Sequence, residues 1–254
     1  MRVSWRPWID RRYQLDKMTL GELVVAYLTH YSILVYFGLA AVSIGLAVHW
    51  AEGWVGPWLA VLVTILVYPL AEYLLHRFVL HGRFLYRSPW TAKVWKRIHY
   101  DHHSDPHDLA VLFGALYTTL PTIGLIALPL GRLVGGDWAS GFAAFATALL
   151  LFAGYEFCHC VQHLPFTPKN RWLREIKRRH LAHHFHNEQG NYGITSGIWD
   201  RILGTLYEHP REVPKSPTTF NLGYTAAERE RYPWVAQSSP SEAELALRRT
   251  RRAA

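Results

Sequence analysis

Charged and apolar residues are segregated along this chain. Four stretches contain no Asp, Glu, Lys or Arg at all: Tyr31 to Val48, Val55 to Ala71, Leu109 to Leu130 and Trp138 to Tyr155. At about 1.5 Å per residue, each forms a helix of roughly 26 to 33 Å, the thickness of a hydrocarbon core. A soluble domain of this size rarely needs four uncharged helices this long. The pattern therefore predicts four transmembrane helices rather than buried core helices.

The flanks predict the rest of the organisation. Thr19 and Glu22 form a capping-box pattern ahead of Leu23, Val24, Val25 and Leu28, so a helix should begin there and lead into the first span. A leader of residues 1–27, a membrane-embedded domain of 28–213 and a polar tail of 214–254 follow from this reading. The tail is rich in Pro, Ser and charge and ends in Arg248, Arg249, Thr250, Arg251 and Arg252. No cleavable signal peptide is expected, because a long segment with Arg and Asp precedes the first span.

Basic residues orient the spans. Arg2, Arg6, Arg11, Arg12 and Lys17 precede the first, and Arg77, Arg83, Arg87, Lys93, Lys96 and Arg97 separate the second from the third. The other two connections hold Arg132 alone, so 26 of the 27 Lys and Arg residues fall on one side. By the positive-inside rule that side is cytoplasmic and contains both termini. Trp50, Trp54, Trp58 and Trp138 mark the opposite interface. The expected location is a bacterial inner membrane, or the endoplasmic reticulum for a eukaryotic chain.

Composition sharpens this picture. The mean hydropathy of −0.01 suggests a soluble protein only because it averages two materials: 75 uncharged residues, and a remainder in which about a quarter are charged. Half of the residues are apolar and 18% charged, which excludes disorder and collagen-like structure. The net charge of +8 has no nucleic-acid-binding motif with it; attraction to anionic lipid, or a merely solvated tail, accounts for it. Cys158 and Cys160 sit too close together to form an ordinary disulfide and imply no oxidising compartment.

Fifteen histidines are the outlier, and all lie outside the uncharged runs. Ten form spaced groups: His76 and His81; His99, His102 and His103; His159 and His163; His180, His183 and His184. On a helix the HxxHH triplets span an arc of about 100° and the HxxxH pair about 40°. His76 and His81 are about 140° apart on an α-helix, so the helix is expected to end at Gly82 and let His81 turn inward. Neutral imidazole ligates Zn, Fe, Cu and Ni, and one ion takes four to six ligands, so ten rings on one membrane face predict two metals.

Glu72 and Glu156 share helical faces with His76 and with His159 and His163, where each either orients an imidazole or simply ends a span. His30, His49, His107, His186 and His209 read as ordinary packed or capping residues, although His107 and His186 are near enough to their triplets to support them. Cys158 and Cys160 point away from His159 and read as apolar filler.

The strings EYLLHRFVLHG, HYDHHSDPHD, EFCHCVQH and RHLAHHFHNEQGNYGITSGIWDRILGTL, across roughly residues 60 to 210, resemble the fatty acid hydroxylase superfamily of integral-membrane enzymes. That group includes acyl 2-hydroxylases, sterol desaturases and carotenoid hydroxylases, and the strings look most like the acyl 2-hydroxylase branch. The resemblance implies an all-α membrane protein with a cytoplasmic helical cap. It also implies a dinuclear centre, iron in the active enzyme and zinc as a possible occupant, on His76, His81, His99, His102, His103, His159, His163, His180, His183 and His184, which are thus the expected catalytic and metal residues. Eukaryotic acyl 2-hydroxylases often carry a cytochrome b5 domain with a His-Pro-Gly-Gly motif. Nothing like it occurs in these residues, and His209 with Pro210 does not qualify.

Splitting O2 to hydroxylate an unactivated C–H bond needs a redox metal, which favours iron over zinc. The chain has no GxGxxG, P-loop or CxxCH motif, so the electrons must come from a separate ferredoxin or cytochrome b5-like partner with its reductase. The expected activity is O2-dependent hydroxylation of a membrane-embedded acyl chain, at carbon 2. A sterol, hopanoid or carotenoid hydroxylase or desaturase would use the same site, and a non-catalytic zinc-binding membrane protein would use the same ligands without a redox metal. The absence of HExxH argues against a zinc protease.

Overall fold

The computed structural model describes residues 14–238; the arginines at positions 2, 6, 11 and 12 and the arginine-rich end of the tail lie outside them. Helices make up the fold, and among the described residues the one β feature is an isolated bridge between Gln14 and Asp108. The labelled helices are α1 (Leu20–Leu28), α2 (Tyr31–Trp50), α3 (Val55–Leu74), α4 (92–104), α5 (Leu116–Gly135), α6 (Trp138–His163), α7 (Arg171–Phe185) and α8 (Ile198–Ile202). Four segments are long and apolar enough to cross a membrane: Tyr31–Trp50, Val55–Leu80, Leu109–Gly135 and Trp138–His163.

The predicted capping box is present. Thr19 N–H donates to Glu22 Oε2 at 2.8 Å and Glu22 N–H donates to Thr19 Oγ1 at 3.3 Å. The helix it starts does not run into the first span, however. It stops at Thr29, and His30 caps α2 separately, its Nδ1 accepting from Ser32 N–H. This break lets α1 fold back on α6, where Tyr27 donates its hydroxyl to the Ala153 carbonyl at 2.7 Å. Leu15, Leu23 and Tyr27 thereby join the core formed with Ile33, Tyr36, Phe113 and Leu149.

Helix α6 is central and touches α2, α3 and α5. Its buried positions explain why it can: Ala139, Ser140, Gly141, Ala143, Ala144, Ala146, Ala148 and Ala153 leave backbones free to approach. In an apolar surround such small-residue contacts replace the hydrophobic effect as the source of packing energy. Gly136, at φ 84°, turns the chain out of α5, and Asp137 then caps α6 by accepting from Ser140 N–H at 2.7 Å.

The polar stretch from Pro214 is part of the folded cap as far as Ser238. Leu222, Tyr224 and Val235 pack with Tyr86, Ala92 and Trp95 in a second core beside α4.

A Cβ on Gly131 would lie 2.3 Å from the Ser140 carbonyl and 2.5 Å from the Ala144 Cβ, neither of which can move freely. Gly131→Val should therefore destabilise the purified protein by about 1–3 kcal/mol or more, read as a lower unfolding temperature in detergent. Gly38→Val, with nothing within 4 Å, should not. Equal unfolding temperatures for the two variants would refute the close α5–α6 contact.

Candidate metal centre

The ten spaced histidines meet at one end of the bundle, in two groups. His76, His81, His99, His103 and His183 form one; His102, His159, His163, His180 and His184 form the other. Within each group one candidate ligand atom per residue lies within 4.8 Å of all the others. Either group can hold a metal ion.

The division crosses the sequence boxes. His99 and His103 are four apart and about 40° apart on a helix, so they aim together, while His102 lies on their other side and joins the second group. The same geometry on α7 sends His180 and His184 to the second group and His183 to the first. Each HxxHH helix thus serves both groups, and the His103 and His184 rings stack at 4.2 Å where the groups meet.

His76 and His81 come together at the expected helix end, where His81 is the C-cap ahead of Gly82, but through a turn that the spacing did not predict. Residues Leu75–Leu80 form a π turn, with His81 N–H donating to the His76 carbonyl at 3.1 Å. The wider turn brings residues five apart onto one face, so their rings are 5.0 Å apart. A second π turn, Lys96–Tyr100, carries His99 within α4.

Three rings are oriented by backbone carbonyls. The Nδ1–H groups of His103 and His183 donate to the Thr219 and Gly190 carbonyls at 2.8 and 2.7 Å, and that of His76 donates to the Tyr192 carbonyl. A carbonyl can only accept, so each Nδ1 carries the proton and each Nε2 keeps its lone pair. Those Nε2 atoms are buried and have no hydrogen-bond partner among the described residues. At least one nitrogen of His102, His159, His163, His180 and His184 is in the same condition. Elsewhere Nε2 of His81 and His99, and Nε2 of His163 and His180, are 2.9 Å apart. Metal–imidazole bonds of about 2.0–2.1 Å would hold neighbouring nitrogens roughly 3 Å apart. These residues fit a nitrogen-ligated metal.

Electrostatics agree. Burial, reinforced by neighbouring imidazoles, pushes His81, His99, His102, His180, His183 and His184 well below the usual histidine range, and burial pushes His103 down to about 3. All seven are held in the neutral form that ligates.

Two of the three accepting carbonyls, those of Gly190 and Tyr192, sit on a loop whose own scaffold carried no signal in the spacing of the histidines. Asp200 accepts from Tyr192 N–H and Gly193 N–H at 2.8 Å each, and Asn191, at φ 56°, exchanges hydrogen bonds with the backbone of Tyr207. Glu72 accepts from Ile194 N–H at 2.6 Å and Thr195 N–H at 2.9 Å, so it anchors this loop and does not touch an imidazole. Glu156 accepts from Gly114 N–H at 3.0 Å, and its other oxygen is buried with no hydrogen-bond partner among the described residues. Backbone carbonyls thus do the orienting that the sequence had offered to these carboxylates.

The remaining histidines and the cysteines stand apart from both groups. His186 bonds the Val213 carbonyl at 2.9 Å, and the His107 ring lies 5.9 Å from that of His163. Cys160 is fully buried in the apolar core and Cys158 is half-buried; both are free thiols.

A cavity of about 230 Å³ runs from the histidines into the bundle between α3, α5 and α6. His76, His99, His102, His159, Glu72 and Glu156 line one end, and Thr64, Ile126, Ala127, Leu130 and Ala148 the other. From Thr64 in α3 to His76 in the π turn that follows it is twelve residues, or roughly 18 Å.

Residues 61–205 match the fatty acid hydroxylase family. A dihydroceramide fatty acyl 2-hydroxylase of Arabidopsis thaliana is 30% identical over 173 residues, covering 66% of this chain and 70% of that protein. The ceramide very long chain fatty acid hydroxylase of Saccharomyces cerevisiae is 33% identical over 150 residues, 56% of this chain but 36% of its own length. The fatty acid 2-hydroxylase of Homo sapiens is 30% identical over 59% of this chain and 40% of its own. The chain therefore spans well under half of the yeast and human proteins. It also superposes on the solved structure of full-length scs7p, in which only the hydroxylase domain is visible, with a TM-score of 0.56 and 29% identity over 80% of this chain and 71% of that one. With the matched segment covering more than half of its length, the chain belongs to the fatty acid hydroxylase family.

Proposed function

We propose that the protein is an O2-dependent diiron hydroxylase that inserts oxygen at carbon 2 of a membrane lipid acyl chain. The observation that carries this reading is the apolar cavity leading from both histidine groups into the membrane-spanning bundle. The names of the relatives, acyl and ceramide 2-hydroxylases, favour the acyl carbon adjacent to the head group. The ten histidines are the metal ligands, five to each ion. Iron bound there would supply the O2 activation and C–H cleavage that no side chain can perform.

The chain's own residues do the rest. Phe152, Ile126 and Leu130 hold the acyl tail and exclude water along it, while the carbonyls of Gly190, Tyr192 and Thr219 keep three rings aimed inward. One C–H bond, O2, two electrons and two protons give one alcohol and one water. The electrons come from an external ferredoxin or cytochrome. Basic flanks favour a cytoplasmic cap and cytoplasmic termini.

His102→Ala and His183→Ala alter different groups, so each should lower bound metal by about one of two equivalents, measured by elemental analysis, whereas His186→Ala should retain both. Full metal in both ligand variants would refute the ligand set.

Acid should destabilise the metal-free protein. The unfolded chain protonates histidine near pH 6.5, while the folded chain holds these rings neutral down to much lower pH, to about 3 for His103. The unfolded state thus binds more protons throughout that window, and stability falls as pH falls from about 6.5 toward 3. Metal is released over the same range, because protons compete for the ligating nitrogens. An unfolding temperature that stays constant on acidification to about pH 4 would contradict the neutral histidine core.

Mass spectrometry of lipids from cells expressing wild type or His183→Ala tests the reaction. Wild type should yield a lipid one oxygen atom heavier, oxygenated at acyl carbon 2 and absent without O2 and in the variant. Oxygenation of a sterol or carotenoid instead would reassign the substrate.

A further inference from the structure

Among the ten clustered imidazoles, nine are buried and His81 alone reaches the surface. It does so through a second cavity, of about 250 Å³, whose lining includes Arg77, Arg83, Glu188, Gln189 and Tyr192. No residue lines both cavities. The π turn 75–80 is the partition between them: Leu75, His76, Val79 and Leu80 face the apolar side, and Arg77, Phe78 and the following His81 face the polar one.

The polar cavity carries excess positive charge. Arg77 donates to the Tyr73 hydroxyl at 2.6 Å and lies 5.0 Å from the centre of the Phe78 ring, but neither Arg77 nor Arg83 enters an ion pair among the described residues. The one carboxylate in the lining, Glu188, is held to the wall by the Thr218 hydroxyl at 2.5 Å. Two guanidinium groups against one carboxylate leave a cationic mouth over the partly exposed His81.

We propose that this cavity is the docking point for an acidic one-electron carrier protein, which delivers electrons at His81. The inference rests on the hydroxylase reading above. That reaction consumes two electrons and two protons per O2, so two reduced carriers are oxidised for each alcohol and water formed. The acyl cavity is closed to a carrier because it opens within the membrane-spanning bundle and the substrate fills it. The cap side is open, and His81 is the ring nearest to solvent there. Unpaired arginines around it select a negatively charged partner and speed its approach at low salt.

The test uses the full chain, loaded with iron, in nanodiscs of zwitterionic lipid, titrated by calorimetry with two probes: an acidic [2Fe–2S] ferredoxin and a soluble acidic cytochrome b5. At least one should bind wild type, with affinity falling as salt rises. Arg83→Glu should weaken that binding by about tenfold at low salt and flatten the salt dependence, while Lys169→Glu, an exposed charge away from the cavity, should not. Bound metal and lipid oxygenation driven by reduced methyl viologen should be unchanged in Arg83→Glu. The proposal is overturned if neither probe binds wild type, if Arg83→Glu binds like wild type, or if the charge effect appears only with anionic lipid, which would assign the arginines to headgroups. Failure of wild type to oxygenate lipid with methyl viologen would instead overturn the hydroxylase reading itself.

Discussion

Ten imidazoles packed together, nine of them buried, must be uncharged to ligate, and each must direct a lone pair toward its neighbours. Nothing else in the fold is so demanding, because an unpartnered nitrogen in a dry site is costly and a protonated ring costs more. The solution visible here uses the main chain. A carbonyl fixes the proton on Nδ1 without adding charge, whereas a carboxylate in the same place would bring a negative charge into the cap. That choice passes the burden to the loop that presents the carbonyls. Glu72 in the second span, Asp200 and Asn191 then serve the site at one remove, by holding the backbone of residues 190–195 where Gly190 and Tyr192 can accept. Two oppositely placed parts of the sequence are locked together by this requirement: the end of α3, and the segment after α7.

What was legible in the sequence follows from the same physics. The spans could be read because hydrocarbon excludes charge over a whole helix, a constraint that needs no knowledge of neighbours. The histidine positions could be read because helical spacing is local. Their partition could not: the arc argument treats each triplet as one face, but two groups on either side of α4 and α7 split each triplet, with the four-apart pairs going one way and the odd ring the other. The capping box at Thr19 was legible and the helix end at Thr29 was not, since folding α1 onto α6 depends on the Tyr27 contact with Ala153, a tertiary event. Carbonyl acceptors leave no trace in side-chain chemistry at all. Thr219 lies in a stretch whose composition suggests a solvated tail, yet its backbone orients His103, while Tyr224 and Val235 nearby are buried against Trp95.

The π turn after α3 shows how one local irregularity meets several demands. An α-helix would place His76 and His81 about 140° apart, so only one could face the first group. The widened turn brings five steps closer to one full revolution, and it does so where the second span leaves the bundle. Leu75, Val79 and Leu80 still close the apolar cavity, while Arg77 and Phe78 are turned toward the cap. Such turns are rare inside α-helices and occur frequently at functional sites. Here the turn has a specific cause: the same six residues supply a ring to the histidine cluster, a wall to the lipid-facing cavity and a cation to the polar one. A substitution that restored regular α-helix would therefore disturb all three together, which is why the irregularity belongs to the architecture of the site.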